Sequence, residues 1–465
     1  MIYQEVAEQL QNLISDGVYS IGSRLPGLRQ LADQFGVSVS TAVNACRELE
    51  RQGMLEARPR SGYFVQPPLS LREAPRTLAG TRQPRRVTGQ LQSLQMMQAA
   101  NDPSVVNLGA AVPTADFLPM AAMERACHHV LRLQRQRCLA GYEFPPGAIE
   151  LRTELAKRLA RLHCSASPDD IVITNSCQES VSIALRLLTR PGDTVAIESP
   201  TYYGLLQVIE GLGLKALEIP TDPVQGISLE ALTLALERWP VAACVLIPNF
   251  SNPLGSCMSD ERKQALLQLL SAHRVPLVED DIYGDLPLRG PRPRPVKSWD
   301  REGLVYYCSS QSKTIAAGLR VGWLLPGQQH ERAAQLQFLN TVAVSSTAQL
   351  ALTQFLRSGH YDRFLRQNRA AYAQAVARMT ERVSQLFPSQ TRVSRPAGGF
   401  VLWVELPGGC DTTELLERAL EQGVSFAPGS LFSAAGKFNN CLRLNCAVHW
   451  DARVERALLT LARLV

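Results

Sequence analysis

Lys313 lies in the segment Cys308-Ser-Ser-Gln-Ser-Lys-Thr-Ile-Ala-Ala-Gly-Leu-Arg-Val-Gly-Trp323, just after the apolar run Leu304–Tyr307. Ser310 and Ser312 flank it, and Arg320 follows beyond Gly318. A lysine amine can form a Schiff base with a carbonyl compound. Hydroxyls and a guanidinium can hold a phosphate, and small residues let the backbone come close. The set therefore suits a phosphorylated carbonyl cofactor held by a covalent bond.

Further fragments stand along the chain. They are Thr174-Asn-Ser-Cys-Gln-Glu179, Ser199-Pro-Thr-Tyr-Tyr-Gly204, Pro248-Asn-Phe-Ser-Asn-Pro-Leu-Gly255, Glu279-Asp-Asp-Ile-Tyr-Gly284 and Leu442-Arg-Leu-Asn445. In order and character they resemble the fold-type I aminotransferases, from about residue 100 to the C-terminus. The resemblance implies pyridoxal 5'-phosphate on Lys313. It also implies a carboxylate facing the pyridine nitrogen, so that the ring stays protonated. Asp280 takes that role because it precedes Tyr283 by the family's spacing. Asp281 is its rival, and changing Asp281 is expected to do little. Tyr283 and Asn252 match the positions that bond the ring hydroxyl, and Tyr202 the aromatic that stacks on the ring. Ser176, Cys177 and Gln178 open a helix whose N-terminus suits a phosphate, together with Ser310, Ser312 and Arg320. Family loops often have Gly or Ala where Ser176 and Cys177 stand. Arg443 matches the arginine that clamps a substrate carboxylate, beside Asn252. Tyr142, in Gly141-Tyr-Glu-Phe-Pro-Pro-Gly147, resembles the tyrosine that reaches the neighbouring subunit's phosphate. Lys313, Asp280 and Tyr202 are thus the candidate catalytic residues.

The elements that must position these groups alternate. Ile171–Thr174, Thr194–Glu198, Ala216–Ile219, Ala243–Pro248, Pro276–Glu279, Leu304–Ser309 and Gly322–Leu325 read as apolar strands. Helices are expected at Gln178–Leu188, Leu229–Arg238 and Ser259–Ala272. The pattern predicts an α/β domain with a mostly parallel central sheet covered on both faces. A smaller C-terminal subdomain should follow, with a strand at Gly399–Glu405.

A chain of 465 residues exceeds one ordinary domain. Its 11 cysteines lack CxxC pairs, and its histidines are dispersed, so no zinc site or disulfide framework is expected. No apolar run reaches a membrane span, and Met1-Ile-Tyr-Gln-Glu lacks signal-peptide character. A cytoplasmic protein is expected.

In the first 66 residues, Ile2, Val6, Leu10, Leu13 and Ile14 share one helical face, predicting a helix over 3–15. A second helix is expected at Gly27–Phe35. Gly36 supplies a turn, and Ser38 can cap a third helix to about Gln52, with Ala42, Val43, Cys46 and Leu49 inward. Met54–Ala57 and Tyr63–Gln66 read as a hairpin around Arg58-Pro-Arg-Ser-Gly62. Gly22-Ser-Arg-Leu-Pro-Gly-Leu-Arg-Gln-Leu-Ala32, Phe35-Gly-Val-Ser38, Leu49-Glu-Arg-Gln-Gly53 and Arg60-Ser-Gly-Tyr-Phe-Val65 resemble the winged helix-turn-helix of GntR-family repressors. The resemblance places the third helix in the DNA major groove. Its start, Ser38-Val-Ser-Thr-Ala-Val-Asn44, lacks the arginine that family members commonly carry. Base readout then rests on Ser40, Thr41 and Asn44, near Ser38. Arg24, Arg29, Arg47, Arg58 and Arg60 are placed to meet phosphates. Six arginines against seven carboxylates give this domain a net charge of −1, so its DNA affinity must be local.

Residues 67–98 are rich in proline and arginine and read as a mobile linker before a PLP-binding domain over 99–465. Residues 67–90 carry a net +4, from five arginines and Glu73. The whole resembles the MocR-type subfamily of GntR regulators. That implies a PLP-dependent transcription regulator sensing an amino acid or amine through aldimine chemistry. It also implies a homodimer on double-stranded DNA with repeated half-sites. The alternatives are an active aminotransferase with a DNA-binding arm, and a sensor of PLP level itself.

Overall fold

The computed structural model describes residues 2–16, 18–20, 22–51, 54–58, 62–65, 72–81, 83–88 and 102–465. The chain divides into two compact units, Met1–Glu73 and Ala74–Val465.

The first unit has three helices and a hairpin: α1 (Ile2–Ser15), α2 (Leu28–Gln34), α3 (Val39–Arg51), β1 (Leu55–Arg58) and β2 (Gly62–Val65). Gly36 adopts φ +63 between α2 and α3, a conformation that suits glycine. Ser38 caps α3 by accepting from Thr41 N at 3.2 Å. Val6, Leu10, Leu31, Ala42, Cys46, Leu49, Leu55 and Val65 form the core. Ala45 is buried in this core, whereas Val43, expected inward, is only half-buried.

The second unit is built on a mixed sheet. Its strands are β3 (Arg85–Arg86), β5 (Val172–Thr174), β6 (Thr194–Ser199), β7 (Lys215–Asp222), β9 (Val241–Leu246), β10 (Leu277–Asp280), β11 (Val305–Ser310) and β12 (Gly322–Leu325), with β8 (Gly226–Ile227) on β7. Their order is β3-β7-β6-β9-β10-β11-β12-β5. Strands β7, β6, β9, β10 and β11 run parallel, while β12 is antiparallel to both neighbours. Every residue of β6, β11 and β12 is buried, as layers on both faces require. The helices Cys177–Leu188, Leu229–Arg238 and Asp260–His273 fall where expected.

A smaller antiparallel sheet, β13 (Arg392–Val393), β14 (Val401–Glu405), β17 (Cys441–Asn445) and β16 (Ala427–Pro428), forms the C-terminal part. The short strands β4 (Val106–Asn107) and β15 (Val424–Ser425) pair beside it.

One expectation changes here. Within the predicted linker, residues 74–81 and 83–88 belong to the second unit, and β3 pairs with the exposed edge of β7. Val87 is 4% exposed and joins the core. An edge strand offers unpaired amides and carbonyls, which even a proline-rich segment can satisfy.

Candidate functional site

The site lies at the carboxyl ends of β10 and β11, where open α/β sheets bind ligands. Lys313 follows β11 in a turn and is half-buried, its Nζ donating to the Ala111 carbonyl at 2.7 Å. Desolvation pushes its pKa down to about 8, and Arg443 pushes the same way against Asp280.

Asp280 ends β10. Its Oδ1 accepts from Cys177 Sγ at 3.1 Å and from Ile282 N at 3.1 Å. Both bonds fall on one oxygen, which fixes the carboxylate's orientation. Desolvation raises its pKa to about 6. Asp281 is engaged differently. It is buried and accepts from Arg292 NH2 at 2.6 Å, Tyr307 OH at 2.7 Å and Asn249 Nδ2 at 2.9 Å.

Two contrasting results are expected from these neighbours. Asp281→Asn should cost about 3 kcal/mol of stability, because it strips charge from a buried ion pair. Asp280→Asn should stabilise the cofactor-free protein. The folded Asp280 holds a proton up to about pH 6, whereas an unfolded one releases it near 3.8. Its stabilising contribution is therefore present below pH 4 and lost as pH rises to 6. Above pH 6 the variant should gain about 3 kcal/mol, and near pH 4 nothing, as denaturant midpoints will read. An Asp280 variant less stable than the wild type at pH 7 contradicts this.

Arg443, on β17, is fully buried. NH1 donates to Asn252 Oδ1 at 3.1 Å, NH2 donates to the Gly109 carbonyl, and Nε has no partner. Phe432 and Tyr203 lie 5.2 and 5.6 Å from the guanidinium carbon. Both of its acceptors, Asn252 Oδ1 and the Gly109 carbonyl, are neutral oxygens rather than carboxylates. Tyr283 is buried against Phe400, and Asn252 is 4% exposed. Tyr202 folds over Gly204, where an added Cβ would sit 2.4 Å from the ring.

The helix Cys177–Leu188, expected to receive the phosphate, opens against β12. A Cβ on Gly322 would lie 2.5 Å from the Ser176 carbonyl carbon, so glycine lets the helix end approach. Ser176 Oγ is used as the helix cap, accepting from Glu179 N at 3.1 Å. The Cys177 thiol turns to Asp280 rather than to the phosphate side, leaving its backbone amide for an anion. Gln178 is exposed. Ser310 and Ser312 are buried, whereas Arg320 is exposed in the left-handed region at φ +53.

Tyr142 stands apart from these groups, 70% exposed and 5.5 Å from the Phe144 ring. Sequence reasoning missed the Gly109–Ala111 carbonyls that hold Arg443 and Lys313. The small-residue run Gly109-Ala-Ala111 is the only signal for them. A Cβ at Gly109 would lie 2.8 Å from the Phe426 backbone.

On the first unit, Ser38, Ser40 and Asn44 are exposed and Thr41 half-exposed at the start of α3. The Ser38 hydroxyl also meets Ser40 Oγ at 2.8 Å and Thr41 Oγ1 at 2.9 Å. Arg29 and Arg47 are exposed, with Arg47 bonded to Tyr63. Arg58 pairs with Glu56 at 2.9 Å and lies over Phe64. Arg60 lies outside the described residues.

The first unit has the layout of a winged helix-turn-helix, and the second carries the candidate site on a mixed α/β sheet. Residues 103–461 match the family Aminotransferase class I and II, and residues 2–65 match the gntR family of bacterial regulatory proteins. The Escherichia coli HTH-type transcriptional regulator YjiR is 40% identical over 98% of this chain and 97% of its own. YdcR of the same organism is 38% identical over 100% and 98%. Among solved structures, LysN of Thermus thermophilus, an α-aminoadipate aminotransferase complexed with N-(5'-phosphopyridoxyl)-L-leucine, aligns with TM-score 0.74. It is 26% identical, covering 81% of this chain and 94% of that one. The chain therefore belongs to the MocR-type regulators, a gntR-family DNA-binding domain joined to an aminotransferase class I and II domain. The cofactor of that domain is pyridoxal phosphate, and the Gly322 cradle and the buried Ser310 and Ser312 fit such a group. No helix among the described residues is long and apolar enough to cross a membrane.

Proposed function

We propose that this protein regulates transcription in the bacterial cytoplasm by binding an amino-acid or amine ligand at pyridoxal phosphate carried by Lys313. The observation that supports this best is Arg443. A fully buried guanidinium without a carboxylate partner is costly, and a ligand carboxylate removes that cost. Bound pyridoxal phosphate supplies an aldehyde that condenses with amines and a ring that accepts electrons.

The chain's own residues do the rest. Lys313 supplies a neutral amine and later takes up a proton. Asp280 keeps a proton on the ring nitrogen. Tyr283 and Asn252 bond the ring hydroxyl, and Tyr202 covers the ring face. The amides at Cys177 and Gln178 receive the phosphate with Ser310, Ser312 and Arg320. Tyr142, exposed in one subunit, completes the partner's phosphate site in a homodimer. That dimer carries two winged units, so the operator holds two half-sites. Ser38, Ser40, Thr41 and Asn44 read bases, while Arg29, Arg47, Arg58 and Arg60 meet phosphates.

Titration of the loaded protein with amino acids and their decarboxylated amines tests this reading. Arg443→Ala should weaken carboxylate-bearing ligands at least about 30-fold and leave the amines unchanged. Equal weakening of both sets overturns the role given to Arg443. The gathering of Lys313, Asp280, Tyr202 and Arg443 also suits an active aminotransferase with a DNA-binding arm. Sustained oxo-acid release over many turnovers would favour that second reading.

A further inference from the structure

Residues 74–81 and 83–88 run from the small C-terminal sheet to the edge of the central sheet. Near the small sheet, Arg76 N donates to Glu405 Oε2 at 2.8 Å and Arg392 NH1 to the Ala74 carbonyl at 3.3 Å. Further on, Thr81 N donates to the Glu218 carbonyl at 3.0 Å, and Glu218 N donates to Thr81 Oγ1 at 3.0 Å. Lys437 Nζ donates to the Ala79 carbonyl at 2.7 Å and pairs with Glu218 Oε2 at 3.1 Å. Arg85 and Arg86 then pair with Ala216 and Lys215. Gly80 sits so close that a Cβ there would be 2.3 Å from the Glu218 carbonyl oxygen and 2.7 Å from Pro220 Cδ.

Both anchors lead to Arg443. Glu405 faces Cys441 across the β14–β17 ladder, two residues before Arg443. Glu218, 1% exposed, accepts from Ser433 Oγ at 2.7 Å and Ala434 N at 2.6 Å. Those residues follow Phe432, which packs on the Arg443 guanidinium.

We propose that residues 74–81 and 83–88 form a strap whose docking is set by occupancy at Arg443, and that the strap fixes the reach of the DNA-binding unit. This rests on the reading of Arg443 as the ligand carboxylate clamp. A carboxylate drawn to Arg443 moves β17 and Phe432, and with them the two anchors. Covalent length gives the consequence. Ala74 is nine positions beyond Val65, at most about 30 Å of chain, whereas Thr88 is 23 positions beyond, at most about 80 Å. Release of the strap therefore more than doubles the length of free chain between the winged unit and the first docked residue of the second unit.

Amide hydrogen exchange at Thr81 and Glu218 tests the strap in the full-length protein. The protein is loaded in turn with pyridoxal phosphate, with N-(5'-phosphopyridoxyl)-L-leucine, and with the same adduct of 3-methylbutylamine, which lacks the carboxylate. The leucine adduct should change exchange at both amides by about tenfold or more relative to the amine adduct. Gly80→Val should exchange fast in all three states and, by reciprocity, shift its affinity for the leucine adduct by up to about tenfold relative to the wild type. Thr81→Ala, a gentler change, should lie between. Equal exchange with the two adducts, with both tightly bound, overturns the strap and leaves the clamp standing. Equal affinity for the two adducts overturns the clamp itself, and the strap with it. Slow, ligand-responsive exchange in Gly80→Val also refutes the strap.

Discussion

Replacing Lys313 with alanine is expected to abolish covalent loading of the cofactor. At pH 7.5, a lysine whose pKa is about 8 is neutral in about a quarter of molecules, against about one in a thousand for an ordinary lysine. The site thus raises the nucleophilic fraction roughly 200-fold. Desolvation contributes most of this, and the Arg443 charge adds to it. The rate of attachment should rise with pH and level off above about 8. Borohydride reduction followed by peptide mapping should place the pyridoxyl label on Lys313 alone. Lys313→Ala should lose both the label and the visible absorbance band. It should keep its fold, because the amine's one hydrogen bond goes to the Ala111 carbonyl at the site. A label on another lysine, or an unchanged spectrum in Lys313→Ala, would sink the assignment.

Removal of residues 1–66 is expected to eliminate sequence-specific DNA binding and spare the cofactor spectrum. The first unit has its own core, from Val6 to Val65, and the second has separate clusters of its own. Its net charge of −1 means that binding comes from a few local contacts rather than a basic field. Salt should still weaken binding steeply, each neutralised phosphate adding about −0.9 to the log–log slope. Within the intact protein, Asn44→Ala should relax base preference at one position of each half-site, at a cost of about 1–3 kcal/mol. Arg29→Ala should weaken all sequences alike. Specific operator binding that survives the deletion, measured by mobility shift, counts against the assignment of the winged unit.

Much of this protein follows from the sequence alone. Apolar runs of four to six residues between amphipathic stretches mark the central strands, because a strand covered on both faces must be apolar on both. Gly36 and Ser38 announce the turn and the cap of α3, since local backbone geometry selects those residues. The ordered fragments around Lys313, Asp280 and Arg443 point to an aminotransferase-like domain and its pyridoxal phosphate, because that chemistry demands particular groups.

Tertiary structure decided what depends on distant partners. Asp280 and Asp281 are neighbours of one type, and only packing separates them. Arg292 and Tyr307 claim Asp281, while Cys177 and Ile282 hold one oxygen of Asp280. The Cys177 thiol, read as a weak phosphate donor, turns to a carboxylate 103 positions away. The Gly109–Ala111 carbonyls serve Arg443 and Lys313 only because β17 and the turn after β11 bring those side chains to them. The segment 74–88 reads as linker by composition, since proline and arginine give it no periodicity. It docks because β7 is left with an open edge, whose backbone groups are satisfied by whichever segment the fold delivers there.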